Sequence, residues 1–310
     1  MTYIVNLGIF VADAAFRAAR MPRMGETLLG NGFALGPGGK GSNQSVASAM
    51  AGGRVHFITR LGEDDFAAMA RGIWAKAGVT PEITIDRESF TGAAMIFLED
   101  STGNNAIIVT PGAASRITPQ DVEARKPLIE GAKIFITQLE QPIPAAQRGL
   151  EIARAAGVTT ILNPAPAAPL PDAMLALCDY LTPNESEAEA LTGLPVTTPE
   201  EAKAAAAALL AKGVGAVVIT LGGQGALYHD GRTTIHAPIV SAGKVVDTTG
   251  AGDAFNGGFA VALAEGMGIE QALRFASATA GISVTRPGTA GSMPSRAEIE
   301  ALLSCNPAEL

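Results

Sequence analysis

The sequence predicts an α/β protein with a mainly parallel central sheet, helices on both faces and a small lid of β-strands. Three observations predict it. From about residue 119 to residue 221, helical and strand-like patterns alternate regularly, as strands joined by crossover helices require. Polar clusters fall where four of those strands end. Two extended stretches, about residues 11–38 and 91–111, stand outside the alternation and form the lid segments. The whole chain, residues 1–310, is expected to be a single domain from which these segments stand off, a size within reach of one large hydrophobic core.

Each element has its own signal. Tyr3 to Leu7 is a short apolar run that stops at Gly8, the mark of a buried strand. Residues 14–37 show no helical period; Thr27, Leu29, Asn31, Phe33 and Leu35 roughly alternate, with a turn at Met24-Gly25. A helix is expected over Ser45–Ala51 and a strand over Val55–Thr59, then a helix to about Ala77 with Asp64 or Asp65 as its cap. Ile83–Ile85 reads as a short strand. Ala93–Leu98 and Ala106–Val109 flank a polar turn and read as a hairpin. The alternating region then gives helix Pro119–Glu130, strand Lys133–Thr137, helix Ile143–Ala156 and strand Thr159–Leu162. Helices at Glu185–Leu191 and Glu200–Lys212 and strand Ala216–Leu221 complete it.

Composition narrows the partners. The net charge of −8 and the absence of any Lys/Arg run argue against nucleic acid or an anionic membrane surface. No uncharged apolar stretch is long enough to span a bilayer, and the start Met1-Thr2-Tyr3-Ile4-Val5 lacks the basic and apolar regions of a signal peptide. The only cysteines, Cys178 and Cys305, fit no metal spacing and point to a reducing compartment. A cytoplasmic protein is expected.

The chemistry concentrates at Asp247-Thr248-Thr249-Gly250-Ala251-Gly252-Asp253, directly before an apolar helical pattern. Glycines let backbone approach a ligand. A helix start directs unpaired N–H groups and a positive dipole end at an anion. Asp253 in that first turn can face the anion as a base, although the same letters also serve a plain capped turn. Asp13, just past the first strand, lies where open α/β sheets bind ligands, or else makes a local turn. Gly36-Pro37-Gly38-Gly39-Lys40-Gly41 fits a dinucleotide pattern only by letters, because no strand leads tightly into it. A Walker motif fails, since Gly41 follows Lys40 and Ala34 holds the earlier glycine position. Lys40, Asn43 and Gln44 nonetheless offer a charge and donors suited to a polyhydroxyl compound or a phosphate. The clusters Gln138-Leu139-Glu140, Asn163-Pro164-Ala165-Pro166, Thr182 to Glu187 and Thr220 to Gly225 imply one crevice along a sheet edge.

In this order and spacing, Gly38-Gly39-Lys40-Gly41-Ser42-Asn43-Gln44, Asn163-Pro164-Ala165-Pro166, Thr182-Pro183-Asn184-Glu185 and Asp247 to Asp253 resemble the ribokinase-like (PfkB) carbohydrate kinase family over nearly the whole chain. The resemblance implies a three-layer α/β/α fold and ATP-dependent, Mg²⁺-requiring phosphorylation of a sugar hydroxymethyl group. Asp253 matches the catalytic base, and Gly250, Ala251 and Gly252 the anion hole. Sugar contacts carry over to Asp13, Gly39, Lys40, Asn43 and Glu140. Asn184 and Glu187 match an N-x-x-E motif that acts on Mg²⁺ and phosphate through water. Thr220, Gly222, Gly225 and Ser277 would lie along the nucleotide. Asp247, Thr249, Ser283, Arg286, Gly288 and Ser292 match a monovalent-cation site, usually filled by K⁺, mostly through backbone carbonyls. The lid would pair subunits into a homodimer.

One position departs from the pattern. Ribose-phosphorylating members usually carry Asn two residues before the sugar-binding Asp; here it is Val11. Ribose or 2-deoxyribose leads as the expected substrate. A ketose such as fructose, or a nucleoside stacked on Phe10, Phe16, Phe33 or Phe97, is the alternative, and a sugar sensor without catalysis is a third reading that the intact Asp253 turn opposes.

Overall fold

The computed structural model describes residues 2–306; Met1 and residues 307–310, the two ends of the expected single unit, lie outside the described residues. The chain opens with strands β1 (Ile4–Leu7), β2 (Val11–Ala18) and β3 (Gly32–Gly38), then helix α1 (Lys40–Met50), strand β4 (Val55–Leu61), helix α2 (Asp65–Ala77) and strands β5 (Thr80–Ile85), β6 (Thr91–Glu99) and β7 (Asn105–Gly112). Helices α3 (Pro119–Glu123) and α4 (Lys126–Glu130), strand β8 (Ile134–Thr137), helix α5 (Ile143–Ala155), strand β9 (Thr159–Leu162), helix α6 (Asp172–Leu175) and strand β10 (Tyr180–Leu181) follow. Helices α7 (Glu185–Thr192) and α8 (Pro199–Leu210), strands β11 (Ala216–Thr220), β12 (Ala226–His229) and β13 (Thr234–Ala237), and helices α9 (Ala251–Ala264), α10 (Ile269–Ser283) and α11 (Arg296–Cys305) complete it.

Among the described residues these strands form two sheets. The larger runs β13-β12-β11-β10-β9-β8-β1-β4-β5. It is parallel from β11 to β5, and β12 and β13 extend it antiparallel. Alternation within the short central strands sends side chains to both faces. Ile4, Ile134 and Ile136 pack with residues of α9, α10 and α11, whereas Val5, Leu7 and Phe135 pack with residues of α5, α6 and α8. Helices on both faces make the three layers that the alternation predicts. A third cluster, built on Trp74, Phe57 and Phe10, joins α1 and α2 to the β4 edge. No helix among the described residues is long and apolar enough to cross a membrane.

The second sheet, β3-β2-β6-β7, contains both extended stretches. β2 and β6 run parallel, and β3 and β7 flank them antiparallel. The base of β6 is fixed by one carboxylate: Asp64 caps α2 through Ala67 N (2.8 Å) and also accepts Thr91 N (2.7 Å).

Three expected boundaries move. The glycine-rich segment is already helical from Lys40, because Gly39 takes the positive-φ turn (φ 87°) and Lys40 to Gln44 become the first turns of α1. The helix expected over Pro119–Glu130 is two, broken at the non-helical Arg125, after which Pro127, lacking an N–H, is accommodated in the first turn of a new helix. The strand expected at Ile83 starts at Thr80, paired to β4 throughout.

Candidate active site

The polar clusters follow β8, β9, β10 and β11, four neighbours in the parallel part of the sheet, and so line one edge. The second sheet rises from the end of β1 on the same edge. Helices α1 and α9 pack against each other, and this contact brings the start of α1 to the start of α9.

Asp253 sits in the first turn of α9 and is buried. Its Oδ2 accepts Asn43 Nδ2 at 3.1 Å and its Oδ1 accepts Gln44 Nε2 at 3.0 Å. Gly250 starts the helix from the left-handed region, at φ 79°, a conformation that a residue with a Cβ resists. Of the three amides expected in the anion hole, that of Ala251 is instead taken by Thr248 O in the turn (3.1 Å), while Ala254 N donates to Gly250 O (2.8 Å). The N–H groups of Gly252 and Asp253 fall in the first turn, where an α-helix supplies no partner of its own. Burial pushes the Asp253 carboxyl up, opposed by the Lys40 charge and the two amide hydrogen bonds.

Lys40 balances this acidic pocket. Burial would lower its ammonium pKa, but the carboxylates of Asp253, Glu140 and Glu187 outweigh burial and raise it. Glu140 Oε2 accepts the Lys40 backbone N–H at 2.6 Å, and burial lifts its carboxyl to about 7. Asp13, on β2, is lifted by burial to about 6. Its carboxylate lies against Gly38, where an added Cβ would come within 2.2 Å of Oδ2. Val11 precedes Asp13 by two on the same strand and so points to the same face; it is 5% exposed and packs toward Gly92.

The nucleotide-side candidates other than Ser277 lie about the start of α7. Asn184 caps that helix, its side chain accepting Glu187 N while Glu187 Oε2 accepts Asn184 N, a reciprocal box. Burial raises the Glu187 carboxyl pKa. Thr220 N donates to Pro183 O at 3.0 Å, placing the end of β11 beside Asn184. Gly222 and Gly225 bound the 3-10 turn after β11. Ser277 is buried in α10, the helix packed against α9.

The cation candidates form two loops laced together. Asp247 accepts Thr249 N on one oxygen and Gly288 N on the other, each at 2.9 Å. Burial opposes ionisation of Asp247, and these hydrogen bonds outweigh it, lowering its pKa. Val284 O accepts both Val246 N and Asp247 N. Ser292 Oγ donates to Thr289 O and Ser283 Oγ to Ala280 O, while the Arg286 side chain turns away to pair with Glu298. Each Asp247 oxygen accepts one of these hydrogen bonds and keeps a further lone pair, so the carboxylate as well as the loop carbonyls is available to a monovalent ion. No three His, Cys, Asp or Glu side chains cluster to hold a metal among the described residues. A Mg²⁺ that keeps its waters and takes phosphate oxygens needs no such cage, so the pair Asn184 and Glu187 fits an indirect role.

Not every candidate reaches the site. Phe10 is consumed in the core, edge-on to Trp74 at 5.8 Å, and Phe97 is buried in β6. Phe16 and Phe33 face each other across β2 and β3 at 5.0 Å. Gln138, Asn6 and Asn163 join Gln44 behind Asp253. Gln138 and Asn163 stood in the polar clusters at strand ends, and Asn163 also in a family motif, without an assigned role, whereas Asn6, inside β1, gave no signal.

The model of the pfkB family of carbohydrate kinases matches residues 1–296. The chain is similar to a ribokinase of Schizosaccharomyces pombe, 40% identical over 313 residues and covering 97% of both chains. It is similar to a deoxyribokinase of Salmonella typhi, 34% identical over 305 residues, 98% of this chain and 99% of that one. Among solved structures it resembles the Arabidopsis thaliana ribokinase complexed with ribose and ATP, with TM-score 0.92 and 34% identity, covering 98% of this chain and 99% of the other.

Proposed function

Because the chain belongs to the pfkB family of carbohydrate kinases, we propose that this sugar kinase transfers the terminal phosphoryl group of ATP to the hydroxymethyl group of a pentose, ribose or 2-deoxyribose. The observation that carries the proposal is the buried Asp253 at the start of α9, with both oxygens oriented by Asn43 and Gln44 and Lys40 close by. Asp253 takes the proton of the attacking hydroxyl. The first-turn amides of α9 face the charge that develops on the transferring group, and phosphoryl transfer asks chiefly for such positioning and charge stabilisation. Asp13, Gly39, Lys40, Asn43 and Glu140 hold the sugar hydroxyls, with Val11 beside them. Thr220, Gly222, Gly225, Ser277 and Asn184 line the nucleotide side. Asn184 and Glu187 would act on a bound Mg²⁺ through its waters, and the ion would supply neutralisation of phosphate charge. Asp247, Thr249, Ser283, Arg286, Gly288 and Ser292 would hold K⁺, which would stiffen the glycine turn.

The second sheet supports a homodimer. Phe33, Leu35, Ile107, Ile108 and Val109 are exposed on it, and strands with such residues are normally paired or covered. A monomer in light scattering at micromolar concentration defeats that part. The substrate is tested by coupled ADP release over pentoses, hexoses and nucleosides. Turnover highest with ribose or 2-deoxyribose is expected; a preference for a ketose or nucleoside overturns the pentose assignment.

A further inference from the structure

Behind Asp253, the Gln44 amide that orients it continues into a run of buried side-chain amides to which the sugar-kinase chemistry above assigns no role. Gln44 Nε2 donates to Asp253 Oδ1 and to Asn163 Oδ1, both at 3.0 Å. Gln44 Oε1 accepts Gln138 Nε2 at 2.6 Å, and Gln138 Nε2 also reaches Asn6 Oδ1 at 3.0 Å. Asn6 Nδ2 ends the run on the backbone carbonyl of Gly41 (3.0 Å), and Asn163 Nδ2 ends its branch on the carbonyl of Thr182 (2.8 Å).

Two backbone carbonyls fix the sense of the whole network. A carbonyl only accepts, so Asn6 must turn its NH₂ to Gly41 and its oxygen to Gln138. Gln138 must then donate, and Gln44 must receive that donation on its oxygen. The Gln44 NH₂ is left facing Asp253. Reversing Gln44 would set its oxygen against the Asp253 oxygen and its NH₂ against that of Gln138, in a site where Gln44 and Gln138 are fully buried and an unmatched polar group is costly. The fold makes room for this arrangement: an added Cβ at Gly8 or Gly41 would lie 2.5 or 2.9 Å from Gln138 Oε1. Asn43 also donates to Asp253, and its Oδ1, like Gln138 Oε1, is buried with no hydrogen-bond partner among the described residues. Both polar atoms of the Gln44 amide are already occupied.

We propose that Gln44 and Gln138 are positioning residues for phosphoryl transfer, holding the Asp253 carboxylate in one orientation as a pure hydrogen-bond acceptor ready for the proton of the sugar hydroxyl. The inference rests on Asp253 being the base. Charged groups facing Asp253 are Lys40 of α1, Glu140 after β8 and Glu187 of α7, with Asp13 of β2 acting on Glu140. None of them changes in the variants below.

The test compares Gln44→Met and Gln138→Met with wild type in sugar KM, kcat and the pH dependence of kcat. Gln44→Met keeps the length and removes the donor. Its kcat is expected to fall ~10–100-fold, the range for a misplaced catalytic group, while sugar KM stays within about threefold. The acid limb of the kcat profile is expected to move to higher pH, because a donor that favours the ionised carboxylate is gone. Gln138→Met leaves Gln44 in place without its orienting donor, and the same signature at smaller size is expected; it carries the test if Gln44→Met does not fold. A raised KM at unchanged kcat, a kcat within twofold of wild type, or a lower kcat with an unmoved acid limb each overturns the proposal. Asp253→Asn separates the two levels: substantial activity in it removes the base assignment itself, whereas an inert Asp253→Asn beside an unaffected Gln44→Met removes only the positioning role.

Discussion

The Thr289 hydroxyl donates a 2.6 Å hydrogen bond to the carbonyl oxygen of Pro37. Pro37 lies near the end of β3, two residues before Gly39. Thr289 also backs onto the glycine turn, its Cα 3.4 Å from where a Cβ on Gly250 would be. One side chain therefore touches both the base of the second sheet and the start of α9. Thr289→Val keeps the shape and removes the bond. Loss of one net hydrogen bond, about 0.5–1.5 kcal/mol, should raise the sugar KM by ~2–12-fold if that bond holds the sheet over the sugar. An unchanged KM in steady-state kinetics disposes of the coupling.

Glu140 gives a pH dependence whose sign is set by burial. Its carboxyl is lifted from 4.5 to about 7 in the folded protein. The contribution of this group to stability is complete below about pH 4.5 and is lost as the pH rises toward 7, because the folded state binds the proton more tightly than the unfolded chain. In the free enzyme, the difference in Tm between wild type and Glu140→Gln should therefore move against the wild type between pH 5 and pH 8, on the scale of the folded-state shift. A Tm difference that is flat across that window means the carboxyl titrates at its ordinary value.

The parts legible in the sequence are those written in adjacent residues. The alternation from residue 119 gave the sheet and its helices, the hairpin at β6 and β7 stood at its expected place, and the Asp253 turn was visible as a carboxylate beside two glycines. Strand β10, with two residues, is too short to show a period, and β12 and β13 reverse direction where the preceding pattern was parallel. The support behind Asp253 was hidden for another reason. Its members come from β1, α1 and the ends of β8 and β9, with Gln44 and Asp253 separated by 209 positions. Nothing local marks Gln138 as a partner of Gln44 until the fold lays α1 against the end of β8.

The doubly bonded Asp247 motivates a test with monovalent cations. Its two oxygens bind Thr249 N and Gly288 N, so the loops on either side of the glycine turn already share one carboxylate. K⁺ on the surrounding carbonyls would lock this geometry without touching sugar. Activity is expected to rise with K⁺ and much less with Na⁺ or Li⁺. Equal rates in K⁺ and in a bulky organic cation such as tetramethylammonium count against a cation site here.

Val11 should set the choice between pentoses. It shares a face of β2 with Asp13 and is almost fully buried; in the proposed sugar site it would set an apolar wall where a hydroxyl of ribose would look for a partner. Such a wall suits a carbon that bears no hydroxyl, as C2 of 2-deoxyribose does. An apolar wall rejects an added hydroxyl only weakly, by ~10²-fold, whereas a hydrogen-bonding wall rejects its absence more strongly. The wild type is expected to phosphorylate 2-deoxyribose well and ribose with some loss. Val11→Asn should shift kcat/KM toward ribose by ~1–2 kcal/mol, the scale of one net hydrogen bond. The same change puts an amide into a packed cluster next to Gly92, so a loss of stability of about 1–3 kcal/mol is expected in the free enzyme. Ribose should recover part of that loss by pairing with the amide, while 2-deoxyribose should not. Measuring both the kcat/KM ratio and the Tm gain on adding each sugar therefore separates the contact from a general loosening of the site. A ratio that stays at the wild-type value places Val11 away from the sugar and turns attention to ketoses and nucleosides.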